Sequence, residues 1–142
     1  MLDLSLKGKR AVVTGASLGI GEAVVKMLSD HGASVTFCAR NKDAIKNLTD
    51  YKSDSPDSKI KGLIAGMSDA KSTENFIKET LEDGPIDILV NNVGASPSRN
   101  FLYMSDQDWQ DLHELNLLSA VRCTRSFLPH MREQKWGRVI MV

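Results

Sequence analysis

Three glycines within seven residues carry the sharpest chemical signal in this 142-residue chain. They stand in Thr14-Gly15-Ala16-Ser17-Leu18-Gly19-Ile20-Gly21, directly after the apolar run Ala11-Val12-Val13 and at the head of a stretch with helical periodicity. A strand, a glycine turn and a helix in that order suit a phosphate. Gly15 can take the backbone angles of a tight turn. Gly19 has no side chain where a pyrophosphate must approach, and Gly21 lets the helix pack closely on the strand. The first turn of the helix adds unpaired N–H groups and a partial positive charge. Ser17, Leu18 and Ile20 lie between the glycines and are candidate cofactor contacts with them. A glycine-rich turn alone is weak evidence; its strand–turn–helix setting makes a nucleotide the expected ligand.

The second apolar run ends Phe37-Cys38-Ala39-Arg40-Asn41. An acidic residue at the end of this strand would bond the adenosine ribose hydroxyls and repel a 2′-phosphate. Ala39 stands there instead, followed by Arg40, whose planar guanidinium suits a phosphate bidentately. NADP(H) is therefore expected over NAD(H), with Arg40 and Asn41 as further cofactor contacts. Otherwise Arg40 is a solvated arginine at the head of a helix that Asn41 caps. Cys38 and Cys123 are far apart in sequence, which fits small buried hydrophobes in a reducing compartment. His31, His113 and His130 fall in separate helical segments without metal-ligand spacing, so no metal site is expected.

Eighteen basic and eighteen acidic residues give a net charge of zero, which offers no long-range attraction to nucleic acid or to a membrane surface. No run approaches the roughly 18 apolar residues of a bilayer span. The amino terminus lacks the apolar stretch of a secretion signal. A cytoplasmic protein is expected, acting on a small molecule, with neither nucleic acid nor membrane as partner.

Strand and helix signals alternate along the chain. The first helix runs from Gly19, with Ile20, Val24, Met27 and Leu28 as its apolar positions, and ends at His31-Gly32. Residues 35–38 read as a strand, and Ala44, Ile45 and Leu48 mark a helix. Residues 52–58 form a polar loop with Pro56. Residues 60–65 form a third strand. Ser68 or Asp69 caps a helix that carries Phe76, Ile77 and Leu81 and stops at Gly84-Pro85. Residues 86–90 are a fourth strand and 91–100 a polar loop. A short helix covers 105–113 and a longer one 115–132, with Leu118, Val121, Phe127 and Leu128 apolar. A fifth strand opens at Gly137-Arg138-Val139-Ile140. The pattern predicts an α/β fold, a Rossmann-type doubly wound parallel sheet, as one dinucleotide-binding domain over residues 1–142. The chain stops inside an apolar strand, so the sheet is expected to be truncated after its fifth strand.

The spacing of the first turn, T-G-x-x-x-G-x-G, resembles that of the short-chain dehydrogenase/reductase family. Asn91-Asn92-Val93-Gly94 is similar to the family's N-N-A-G motif with valine for alanine. Asn116 in Leu115-Asn116-Leu117 matches the asparagine of its catalytic tetrad, and Gly137-Arg138-Val139-Ile140 resembles the start of its fifth strand. The resemblance covers essentially the whole chain, and 3-oxoacyl-carrier-protein reductase-like members are the commonest kind of relative. It implies hydride transfer between NADP(H) and a carbonyl or alcohol, with Asn92, Val93 and Gly94 along the adenosine ribose. It also implies that Asn116 holds a water in the proton relay, and that the intact protein is a homo-oligomer through the 115–132 helix.

The chain also departs from the family pattern. Leu18 stands where many NADP-preferring relatives have a second basic residue. Ala65-Gly66-Met67 stands where relatives place Asp or Asn beside the adenine; a backbone group or water replaces that contact, or affinity falls. The family's serine is expected just past Val142 and its Tyr-x-x-x-Lys beyond it. Tyr51 and Tyr103 are followed at the fourth position by Ser55 and Gln107. Residues 96–101 either border the substrate or form a solvent loop. Two functions follow: the cofactor-binding part of a reductase or alcohol dehydrogenase, or a non-catalytic nucleotide-binding or subunit-association module. A Rossmann domain of another family fits the Asn92 and Asn116 matches less well.

Overall fold

The computed structural model describes residues 4–97 and 100–142. Residues 1–3 of the amino-terminal stretch and 98–99 of the 96–101 segment lie outside the described residues. The elements alternate as β1 (Arg10–Val13), α1 (Gly19–Asp30), β2 (Ser34–Ala39), α2 (Lys42–Thr49), β3 (Ile60–Ile64), α3 (Ala70–Glu82) and β4 (Ile88–Asn91). A 3-10 turn (Phe101–Tyr103), α4 (Asp106–His113), a π-turn (Glu114–Leu118), α5 (Ser119–Glu133) and β5 (Arg138–Met141) follow.

All strand pairs are parallel, in the order β3-β2-β1-β4-β5. The chain steps outward from β1 through β2 to β3, then returns to the other side of β1 for β4 and β5. That reversal opens a crevice at the carboxyl ends of the strands, where ligands bind in open α/β sheets.

Side chains alternate across each strand and separate two cores. Val12, Cys38 and Leu89 join Phe76, Ile77, Cys123 and Phe127 under α3 and α5. Ala11, Val13, Phe37 and Val90 join Val25 and Leu48 under α1 and α2. Helices on both faces explain why β1, β2 and β4 are almost continuously apolar.

The helix faces differ from those expected. Val24 and Leu28 pack against the core as expected, but Ile20 and Met27 are exposed, and Gly21, Val25 and Ser29 are the residues of α1 that are buried. Small residues let α1 sit close to its neighbours: Ser29 Oγ lies 2.6 Å from Ser58 Oγ, whose hydroxyl also reaches the Ala33 carbonyl at 2.6 Å. In α5 Val121 and Leu128 face outward, while Ser119, Cys123, Phe127 and Met131 recur every four residues on the buried side. Asn91, expected in a loop, ends β4 and is buried. The 105–113 and 115–132 helices are joined without a break by the π-turn centred on Asn116.

Candidate functional site

A cleft of about 450 Å³ opens at the carboxyl ends of β1 to β4, a volume within the range of small-molecule sites. One wall is the glycine turn, with Gly15, Ser17, Leu18, Gly19, Ile20 and Gly21 all lining it. Gly15 and Gly19 have φ of +68° and +63°, a left-handed backbone that side chains other than glycine rarely accept. A Cβ on Gly19 would meet no atom within 4 Å, so this stretch faces open cleft. The next glycine is different. A Cβ on Gly21 would lie 2.5 Å from Asn92 Nδ2 and 2.6 Å from the Gly15 carbonyl. Gly21 is therefore required by close packing of turn against loop. No side chain caps α1 at Leu18, which leaves its first N–H groups toward the cleft.

The opposite wall is the loop after β4, with Asn92, Val93, Gly94 and Ala95. The Thr14 hydroxyl and the Asn92 amide lock it to the turn. Thr14 Oγ1 accepts from the N–H groups of Asn92 at 3.0 Å and Val93 at 3.1 Å. Asn92 Nδ2 donates to the carbonyls of Thr14 at 3.1 Å and Gly15 at 2.9 Å. The two asparagines thus divide their work. Asn91 points into the sheet and α5, its Nδ2 reaching Thr124 Oγ1 at 3.3 Å, whereas Asn92 holds the two cleft walls together.

Arg40 follows β2 and lines the third side with Ala39. It is the one cationic residue among the described residues that line the cleft, and no carboxylate lines it, so the site suits a polyanion. Asn41 does not line it. Its Oδ1 accepts from the N–H groups of Asp43 at 2.8 Å and Ala44 at 3.1 Å, capping α2. Ala65, Met67 and Ser68 line the far end beyond β3. Of the two candidate caps for α3, Asp69 takes the role by accepting from Ser72 N–H at 2.6 Å, and Ser68 is left free for the cleft. Sequence reasoning missed Ser68 because lining and capping differ here by one residue of register.

Asn116 stands behind the loop and outside the cleft. Its Oδ1 accepts from Ala95 N–H at 2.8 Å and its Nδ2 donates to Ala95 O at 2.8 Å. The π-turn carries it there, and Ser119, at the end of that turn, bonds the Leu115 carbonyl through its hydroxyl.

Cys38 also lines the cleft. Burial pushes its thiol up to about 11, against opposing hydrogen bonds from backbone N–H groups, and burial pushes Cys123 up to about 12. Neither is a nucleophile near neutral pH. Tyr51 donates to Asp30 Oδ2 at 3.0 Å, at the carboxyl end of α1 and about 18 Å of helix from the glycine turn. Tyr103 is exposed on the 3-10 turn and does not line the cleft. Among the described residues no group of His, Cys, Asp and Glu could hold a metal, and no helix is long and apolar enough to cross a membrane.

Comparison with known proteins agrees with this geometry. The family model for short chain dehydrogenase matches residues 9–142. The chain is 36% identical over 140 residues to the 3-oxoacyl-acyl-carrier-protein reductase FabG of Salmonella typhimurium, covering 98% of this chain and 56% of that one. It is 34% identical over 145 residues to the uncharacterized oxidoreductase YvrD of Bacillus subtilis, covering 99% and 53%. Among solved structures, L-sorbose reductase from Gluconobacter frateurii, complexed with NADPH and L-sorbose, superposes with a TM-score of 0.89 at 28% identity. That match covers 99% of this chain and 54% of the other. The chain spans about half the length of the curated relatives it matches.

Proposed function

Because the chain belongs to the short-chain dehydrogenase family, we propose that it is the NADP(H)-binding part of an oxidoreductase that interconverts carbonyls and alcohols. The observation that carries this reading is the cleft: a left-handed glycine turn, an uncapped helix start and a lone arginine converge where the strand order reverses. The residues present fit the cofactor. Gly15, Ser17, Gly19 and Ile20 would hold the pyrophosphate against the first turn of α1. Arg40 would pair with the 2′-phosphate. Asn92, Val93 and Gly94 would border the adenosine ribose, and Leu18 and Gly21 would shape the turn.

When bound, the nicotinamide supplies the hydride chemistry. This chain's contribution is to position it. Thr14 and Asn92 keep the two cleft walls at a fixed separation, and Asn116 fixes the height of the loop through Ala95. The side-chain amide of Asn116 is engaged on both sides by Ala95, so any water it holds for a proton relay would be met by its backbone. The proton donor would come from outside residues 1–142, since neither Tyr51 nor Tyr103 lines the cleft. On this reading residues 1–142 are the amino-terminal part of one dinucleotide-binding domain, and the intact protein is a cytoplasmic homo-oligomer acting on a small carbonyl or alcohol. FabG and L-sorbose reductase, both reductases by name, support the reaction class.

The test is titration of the protein carrying this chain with NADPH, followed by nicotinamide fluorescence, in wild type and Gly19→Val. Tight binding that the variant loses while staying folded is expected. Unchanged affinity would remove the turn as the phosphate site.

A further inference from the structure

The far end of the cleft is built differently from its middle. Where a nucleotide crosses the reversal point of such a sheet, the adenosine ribose lies by the end of the second strand. The base therefore lies beyond it, toward the end of β3. That end is formed by Ala65, Met67 and Ser68. Ala65 and Met67 are buried and apolar, 4% and 3% exposed.

The polar groups nearby are mostly engaged. Gly66 N–H donates to Ser72 Oγ at 3.0 Å, and the Gly66 carbonyl accepts from Asp69 N–H at 3.3 Å. Asp69 Oδ1 accepts from Ser72 N–H, and Asp69 does not line the cleft. The exposed Ser68 is left as the polar side chain that lines this end of the cleft.

A hydroxyl both donates and accepts. It can accept from the 6-amino group of adenine, or donate to the 6-carbonyl of hypoxanthine. A carboxylate at this place accepts only, and would select the amino group. We propose that Ser68 is the side-chain contact to the nucleotide base, and that this subsite does not discriminate a 6-amino from a 6-oxo purine.

The inference rests on the dinucleotide reading of the cleft and deepens it. Ser68 itself supplies a direct control. Ser68→Asp puts a carboxylate, which only accepts, at the position that lines this end of the cleft.

The experiment measures dissociation constants of the intact protein for NADPH and for reduced nicotinamide hypoxanthine dinucleotide phosphate by nicotinamide fluorescence. Wild type should bind the two within about threefold. Ser68→Ala should weaken both alike, by roughly three- to tenfold, the loss of one hydrogen bond. Ser68→Asp should open a preference for the adenine form of about tenfold or more.

Wild-type binding of NADPH at least tenfold tighter than the hypoxanthine form overturns the inference alone. So does an unchanged ratio in Ser68→Asp, or unchanged affinities in Ser68→Ala. Failure to bind either nucleotide overturns the dinucleotide reading and this inference with it.

Discussion

The side-chain amide of Asn116 grips the backbone of Ala95 at both ends, accepting from its N–H and donating to its carbonyl, each at 2.8 Å. Twenty-one residues separate the two, and the bonds fix the cleft loop to the π-turn that leads into α5. On the loop's other side Thr14 and Asn92 fix it to the glycine turn. A path of backbone-directed hydrogen bonds thus runs from the glycine turn to Asn116.

Asn116→Asp should expose this dependence. The substitution keeps the shape of the side chain but sets an acceptor against the Ala95 carbonyl. We expect a loss of about 1–2 kcal/mol in stability, the exposed setting holding it to the low end for a broken hydrogen-bonded pair. Amide exchange at Ala95 should quicken in parallel. Unchanged exchange would show that the loop is held by Thr14 and Asn92 alone.

The glycines should separate into two kinds of effect. Gly21→Ala places a methyl 2.5 Å from Asn92 Nδ2 and 2.6 Å from the Gly15 carbonyl, where the backbone must move. It should cost roughly 2–3 kcal/mol in chemical denaturation, within the range for overpacking. Gly19→Ala meets no neighbour and strains only its left-handed backbone, φ +63°. About 1 kcal/mol is expected there. Equal losses in the two variants would contradict the packing assignment of Gly21.

Lys135 follows α5 with φ 56°, while its N–H bonds the Arg132 carbonyl and Trp136 N–H bonds that of Met131. This is the helix-ending arrangement that favours glycine at the left-handed position. Lys135→Gly should raise stability by about 0.5–1 kcal/mol, strain relief outweighing the added flexibility of the unfolded chain. A lower denaturation midpoint would rule this out.

The buried thiols give a pH dependence. Burial raises Cys38 to about 11 and Cys123 to about 12 from an ordinary value of 9.0. Both are neutral in folded and unfolded chains below pH 8. Above 9 the unfolded chain ionises first, so the stability they contribute is full below that value and is lost as pH rises through about 11. The loss from Cys38 is on the order of 2–3 kcal/mol. Folded protein at pH 7.5 should react negligibly with a thiol-specific disulfide reagent, and unfolded protein should react fully. Rapid labelling of the folded protein would contradict the burial of both side chains.

The glycine turn and the alternation of strands with helices were legible because each depends on local rules. Left-handed angles demand glycine, and apolar runs flanked by helical periods demand a covered parallel sheet. The face of α1 was legible only in part: Val24 and Leu28 pack on the core, but Ser29 and Gly21 are buried for closeness and Ile20 is exposed at the cleft mouth. Hydropathy reads the reverse. The Thr14 hydroxyl bridging to Asn92 spans 78 residues, a contact that only the β1–β4 pairing creates. Ser68 and Asp69 were both plausible caps, and the direction of one hydrogen bond to Ser72 decided between them. Asn116 was legible through its match to the family's asparagine, but the π-turn that carries it between α4 and α5 was not.

On the proposed reading, the cleft holds a dinucleotide with its 2′-phosphate on Arg40. The most direct measurement compares dissociation constants for NADPH and NADH in the intact protein, in wild type and Arg40→Ala. Wild type should favour NADPH. The variant should lose about 1.5–3 kcal/mol of NADPH binding, roughly one to two decades, with NADH affinity almost unchanged. An equal NADPH-to-NADH ratio in the two proteins would contradict it.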